Sequence, residues 1–193
     1  MDLTEGTVQQ KTERSKKMMV VVLLFSLFMA FAGLTSAYLV SQKRDDWMSS
    51  IELPPAFLYS TLIIALSSLT YILASHFMKK GNAQKVLIFL LATLGLGVTF
   101  IVLQFDGFKE LIQDGNYLTG PTANIKSSFI YVIAIAHIVH VIAGLISLGW
   151  VVTNQYLGKY TSEKHLGFSL GAIFWHFLGG LWLYLYLFMH FFQ

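Results

Sequence analysis

Cysteine is absent from the 193 residues. That excludes disulfides, thiolate zinc sites, iron–sulfur clusters, thiol nucleophiles and any copper site needing bridging thiolates. Charge is scarce as well: Asp, Glu, Lys and Arg make up 12% of the chain, about half the share of a soluble domain. Proline occurs three times. In their place stand apolar residues, 55% of the total, with a mean hydropathy of +0.64. They gather into five nearly uncharged blocks, so residues 1–193 read as one polytopic membrane domain. The formal charge of +3 is spread over several loops and forms no dense basic patch. Membrane topology accounts for it, and no nucleic-acid partner is expected.

The blocks are Met18 to Val40, Ala56 to Met78, Val86 to Phe105, Phe129 to Val152 and Phe168 to Phe192, and none contains Asp, Glu, Lys or Arg. Each has enough residues, about 20 to 25, to cross a hydrocarbon core of about 30 Å as a helix. Alternating strands of barrel type are missing, and in lipid the backbone must pair within each segment. The expected fold class is therefore an all-α membrane protein, five transmembrane helices in one bundle. Lys and Arg fall unevenly on the two sides: nine lie in residues 1–17 and at Lys79, Lys80, Lys85, Lys159 and Lys164, against four at Lys43, Arg44, Lys109 and Lys126. This bias places the N-terminus in the cytoplasm and the C-terminus outside. Thr35-Ser36-Ala37 resembles a leader cleavage site, but the run before it far exceeds a leader's apolar region of about 7 to 15 residues, so the first span is expected to stay. Residues 106–128 read as the one long loop, an ordered outer crossing or a docking surface.

Helical spacing sorts the span residues into faces. Ser26, Ala30, Gly33 and Ala37 line a narrow stripe of the first span, where small side chains admit another helix closely. Ser60, Ser67 and Tyr71 share a face of the second, and Thr93, Gly97, Phe100 and Gln104 one of the third. Those polar groups are expected to bond between helices, at about 1 kcal/mol each. Trp175 and Trp182, seven residues apart in the fifth span, lie deep enough to suggest a protein or lipid groove.

Ionisable groups at membrane depth are rare and usually face protein or water. His137 and His140 share an arc of the fourth span with Gly144 and Ser147, and His176 lies in the fifth. On an untilted rise of about 1.5 Å per residue, His140 and His176 stand at matched depth. Three chemistries fit: a hydrogen-bonded pair fixing two helices, axial ligation of a b-type haem beside Gly144 and Gly179-Gly180, or a proton relay. A relay normally needs carboxylates at intervals, and no span has one. His76, His165 and His190 read as interfacial or loop residues. Hydrolase, phosphate-loop and zincin signatures are absent.

At this point the chain resembles a known family, subunit III of the haem-copper oxygen reductases, in its short five-helix form. The resemblance rests on five motifs in order: Ala32-Gly33-Leu34 with Ala37-Tyr38; Ser60-Thr61 with Ser67-Ser68 and Thr70; Leu96-Gly97, Phe100 and Gln104; His137 to Val141 with Gly144; and Phe174-Trp175-His176-Phe177 with Trp182-Leu183. It implies a non-catalytic subunit of a bacterial aerobic terminal oxidase in the cytoplasmic membrane. Haem and copper would then belong to subunits I and II, and this chain would bind no cofactor beyond structural phospholipid held in a cleft. It further implies support of proton uptake and of stable turnover, and possible membership of a larger respiratory assembly. His137, His140, Gly144, Trp175, His176, Trp182 and Gln104 become helix-packing or lipid-cleft positions, and Ser26, Ala30, Gly33, Ala37 and Ser67 subunit-interface positions. The family's usual acids are replaced by Leu27, Gly107 and Gly179, with Asp106 beside the second, which argues for a scaffold over a proton antenna. The alternatives are an accessory subunit of a quinol oxidase or nitric oxide reductase, an intramembrane cytochrome ligated by His140 and His176, and a small transporter or channel.

Overall fold

The computed structural model describes residues 7–44, 47, 51–120, 123–161 and 165–192. It contains five helices, α1 (Val8–Ser41), α2 (Pro55–Lys79), α3 (Ala83–Gln113), α4 (Ile125–Tyr156) and α5 (Leu166–Phe191), and no strand among the described residues. All five are long and apolar enough to cross a membrane.

Capping chemistry, more than hydropathy, decides where these helices start and stop. The Thr7 side chain and Gln10 form a reciprocal capping box at the start of α1, Pro55 opens α2, and Asn82 and Asn124 accept backbone N–H bonds at the starts of α3 and α4. Gly81 and Gly115, at φ of 70° and 79°, turn the chain after α2 and α3. The helices consequently outrun the apolar blocks. The third does not end at Phe105 but continues through Asp106, Lys109 and Glu110 to Gln113, because charged residues beyond the hydrocarbon leave helix formation undisturbed. The expected loop over 106–128 shrinks to 114–124. It is tied to α4 by Ser127 Oγ donating to the Tyr117 carbonyl (2.9 Å) and Ser128 Oγ to that of Leu118 (2.8 Å).

Four of the helices close a ring: α2 packs on α3, α3 on α4, α4 on α5 and α5 on α2. The remaining one, α1, lies outside it and touches only α4 and α5. Neighbours in the ring are antiparallel, so the start of α1, the α2–α3 turn and the α4–α5 connection share one end, rich in lysine and called here the basic end. The interior holds Ser60, Thr61, Ser67, Thr93, Gln104 and His137, while Leu62, Leu66, Leu69, Val98, Val102, Ile142 and Ile146 face outward. Polar groups inside and apolar ones outside is the arrangement a lipid solvent selects.

At the opposite end Lys126 is buried, and its Nζ donates to the Ile51 carbonyl (3.1 Å). The contact fastens the connection between α1 and α2 to the start of α4.

Candidate functional site

The ring interior is built on one repeated device. A hydroxyl on α2 donates to its own helix, to the carbonyl three or four residues back, and accepts an N–H from a facing helix with its free lone pairs. Ser60 Oγ donates to the Phe57 carbonyl (2.9 Å) and accepts from Gln104 Nε2 on α3 (2.8 Å). Thr61 Oγ1 donates to the same carbonyl (2.7 Å) and accepts from Trp182 Nε1 (3.0 Å). Ser67 Oγ donates to Ile64 (2.7 Å) and accepts from Trp175 Nε1 (3.1 Å). One turn further, Thr70 and Thr93 share a hydrogen bond of 2.8 Å between α2 and α3.

The two indoles are the pegs of this device. Trp175 fills the space between α2, α3 and α4, where only glycine leaves room. A Cβ at Gly97 would stand 2.6 Å from its Cη2, and one at Gly144 would lie 2.6 Å from Leu178 Cδ1 and 3.5 Å from the indole. Trp182 is surrounded by rings: Phe57 and Phe100 edge-on at 5.9 and 5.4 Å, and the His137 imidazole stacked at 5.1 Å. Both indoles are within the protein and not in a lipid-facing groove.

The three intramembrane histidines go to different places. His137 is fully buried between Trp182, Phe100 and Phe31, and neither ring nitrogen has a hydrogen-bond partner in the protein. His140 turns toward α1, edge-on to Phe31 at 5.6 Å. Its Nδ1 donates to the Ala136 carbonyl (2.6 Å), and since a carbonyl only accepts, that contact fixes the proton on Nδ1. His176 turns toward α2, against the Tyr71 ring at 5.7 Å. His140 and His176 therefore do not meet: equal depth sets height along the bundle, but the helical rotation sends the rings to opposite neighbours. Nor do the glycines frame a haem slot. Gly179 faces Ser68 and Ile64 on α2, with Ser68 Oγ 3.1 Å from where its Cβ would be, while a Cβ at Gly180 would meet nothing within 4 Å.

The small stripe of α1, expected as a subunit-interface surface, is not the face by which α1 packs within the chain. Ser26, Ala30, Gly33 and Ala37 are all exposed, and Gly33 has nothing within 4 Å of a would-be Cβ. The helix packs through the neighbouring face, Leu27, Phe31, Thr35 and Tyr38. Thr35 Oγ1 and the Tyr184 hydroxyl lie 3.2 Å apart, and Tyr38 and Gln42 both donate to the Phe192 carbonyl (3.0 and 2.9 Å). Bulk and aromatic edges, more than close backbone approach, seat α1 on α4 and α5.

The acid-lacking positions are occupied tightly. Leu27 belongs to the packed face of α1, and a Cβ at Gly107 would stand 2.5 Å from the Phe57 ring. Asp106 does not turn inward to replace it but pairs with Lys109 at 2.8 Å on the surface. Among residues not singled out as site positions, Phe31 meets both imidazoles of α4 and Thr61 holds Trp182. Thr61 had a legible signal, six residues before Ser67 against the seven between the tryptophans; Phe31, one aromatic in an apolar run, had none. Among the described residues no three His, Asp or Glu side chains gather as metal ligands.

A family model, that of cytochrome c oxidase subunit III, matches residues 4–193. Similar proteins include cytochrome c oxidase subunit 3 of Scyliorhinus canicula, 35% identical over 132 residues that cover 67% of this chain and 47% of the relative. The same protein of Loxodonta africana is 34% identical over 143 residues (72% and 50%), and that of Ornithorhynchus anatinus 33% over 142 residues (72% and 50%). The chain spans about half the length of the relatives it matches. With five membrane-length helices and a match across nearly its whole length, the chain belongs to the cytochrome c oxidase subunit III family.

Proposed function

We propose that this chain is a non-catalytic membrane subunit of a cytochrome c oxidase, seated against the haem-bearing subunit I in an assembly with subunit II. In this reading it lies in the cytoplasmic membrane of a bacterium with its basic end in the cytoplasm, and it stabilises a complex whose oxygen chemistry happens elsewhere. The observation that carries the reading is how the interior polar groups are used. The hydroxyls of Ser60, Thr61 and Ser67 are spent on joining helices, and His140 is bonded to its own helix. The exposed stripe of Ser26, Ala30, Gly33 and Ala37 is a surface on which the larger subunit could pack closely. An apolar hollow of about 250 Å³ between α1 and α5, lined by Phe28, Phe177, Gly180, Leu181 and Tyr184, suits a phospholipid acyl chain.

Affinity purification from native membranes tests this. The chain should bring with it a large haem protein and a Soret band, while the chain expressed alone shows none. Gly33→Leu should leave the chain's own stability within about 0.5 kcal/mol, as for an exposed site, yet loosen its hold on the complex. Strong Soret absorption from the isolated chain would overturn the proposal. The electron donor that supports turnover of the purified complex separates a cytochrome c oxidase from a quinol oxidase, and nitric oxide reduction would assign the chain to the remaining partner enzyme.

A further inference from the structure

At the basic end, the α2–α3 turn and the α4–α5 connection enclose a pocket of about 320 Å³, at the lower end of the range for small-molecule sites, about 300–1,000 Å³. Met78, Val86 and Gln155 are its buried lining, and Asn82, Ala83 and Tyr160 line it from more exposed positions. It is remote from the tryptophan layers and plays no part in the function proposed above.

Two independent features point to an anion. The first is the start of α3. Asn82 Oδ1 accepts from the Lys85 N–H and the Asn82 carbonyl from that of Val86, which leaves the N–H groups of Ala83 and Gln84 without an acceptor among the described residues. Such amides, with the helix dipole behind them, favour negative charge. The second is Gln155, which is only 4% exposed. Its Oε1 is buried with no partner, an uncommon condition for an interior amide. The Nε2 end of the same carboxamide is not sealed in this way, so it is the end that can donate to an anion in the pocket. Lys79, Lys80, Lys85 and Lys159 flank the pocket from exposed positions; the α2–α3 turn contains no acidic residue and the α4–α5 connection contains one, Glu163, followed by Lys164.

We propose that this pocket binds a phosphoryl group, held by the first amides of α3 and the Gln155 carboxamide, with the lysines supplying long-range attraction. The group belongs either to a phospholipid head at the membrane surface or to free phosphate in solution.

Calorimetric titration of the full chain in nonionic detergent, in chloride buffer, tests the site with two probes, inorganic phosphate and a short-chain phosphatidylglycerol. Ala83→Pro keeps a backbone suited to the first helical position while deleting one N–H, and Ala83→Ser retains it. Gln155→Glu replaces the carboxamide with a like-shaped negative group. Saturable binding should weaken about tenfold in A83P and in Q155E, the effect of losing a hydrogen bond to a charged group, and should persist in A83S. Tighter binding of the lipid probe identifies a membrane source, and equal or tighter binding of phosphate a soluble one. If circular dichroism finds Q155E misfolded, the A83P and A83S pair decides. Absence of saturable binding by either probe overturns the proposal, as does binding that ignores A83P and Q155E and responds only to salt.

Discussion

Trp175 is gripped in two ways, by shape at Gly97 and Gly144 and by a hydrogen bond to Ser67, and the two differ in strength. Gly97→Ala puts a methyl carbon where the indole already is, and the ring cannot withdraw without leaving Ser67. Overpacking of this kind costs about 1–3 kcal/mol. Ser67→Ala removes one interhelical hydrogen bond, and such bonds in membrane proteins average about 0.6 kcal/mol. We therefore expect G97A to destabilise the bundle more than S67A when helicity is followed through a dodecyl sulfate titration in mixed micelles. The reverse order would mean that polar contacts dominate. His137 offers a complementary check. Its ring contacts are aromatic and its nitrogens unpartnered, so His137→Phe should stay within about 1.5 kcal/mol of the unaltered chain in the same titration, as a shape-conserving swap does. A greater loss would reveal a partner for the imidazole, such as an ordered water.

At the scale of the element, α1 behaves unlike the rest. Phe31 is buried and meets two imidazoles of α4, so Phe31→Ala should loosen α1 while the ring of α2 to α5 stays folded. Because the chain has no native cysteine, single introduced thiols report cleanly. Maleimide labelling of Leu27→Cys should accelerate several-fold when F31A is added, and Ser67→Cys inside the ring should remain protected. Equal acceleration at both would show that α1 and the ring unfold together. The sequence was informative here only in part. The five spans stood out because uncharged runs of that length have no other explanation, and the faces of Ser60, Ser67, Tyr71 and Gln104 followed from helical spacing because polar groups shun lipid. The packed face of α1 was hidden for the converse reason: in lipid a leucine is equally at home inside or out, so Leu27 and Phe31 look no different from Val22 and Phe25. Depth placed His140 and His176 level, but the azimuth of each ring depends on neighbours that no single helix specifies.

For the whole molecule, the solvent the surface was built for is apolar around its waist and aqueous at both ends. The uneven lysine and arginine distribution is the basis for expecting the basic end in the cytoplasm. An impermeant maleimide applied to right-side-out vesicles should label Tyr117→Cys and leave Ser15→Cys untouched until the vesicles are opened; the opposite pattern would invert the topology. Pocket and core also separate cleanly at this scale. The hydroxyls that join α2 to its neighbours run from Ser60 to Thr70, whereas Gln155 and the start of α3 lie at the basic end, and Gln155 gave no advance signal because its isolation depends on two connections folding over it.

The spacing of the two indoles along α5 has a mechanical consequence. Seven residues is about two turns, so both pegs point the same way and enter sockets on the same neighbouring rod. A piston stroke or a twist of α5 would have to unplug both together, and half a stroke brings neither to a new socket. The barrel of four rods is thus keyed against sliding. Whatever give this molecule has when a larger neighbour leans on it falls first to the outrigger rod, which stands outside that keyed set.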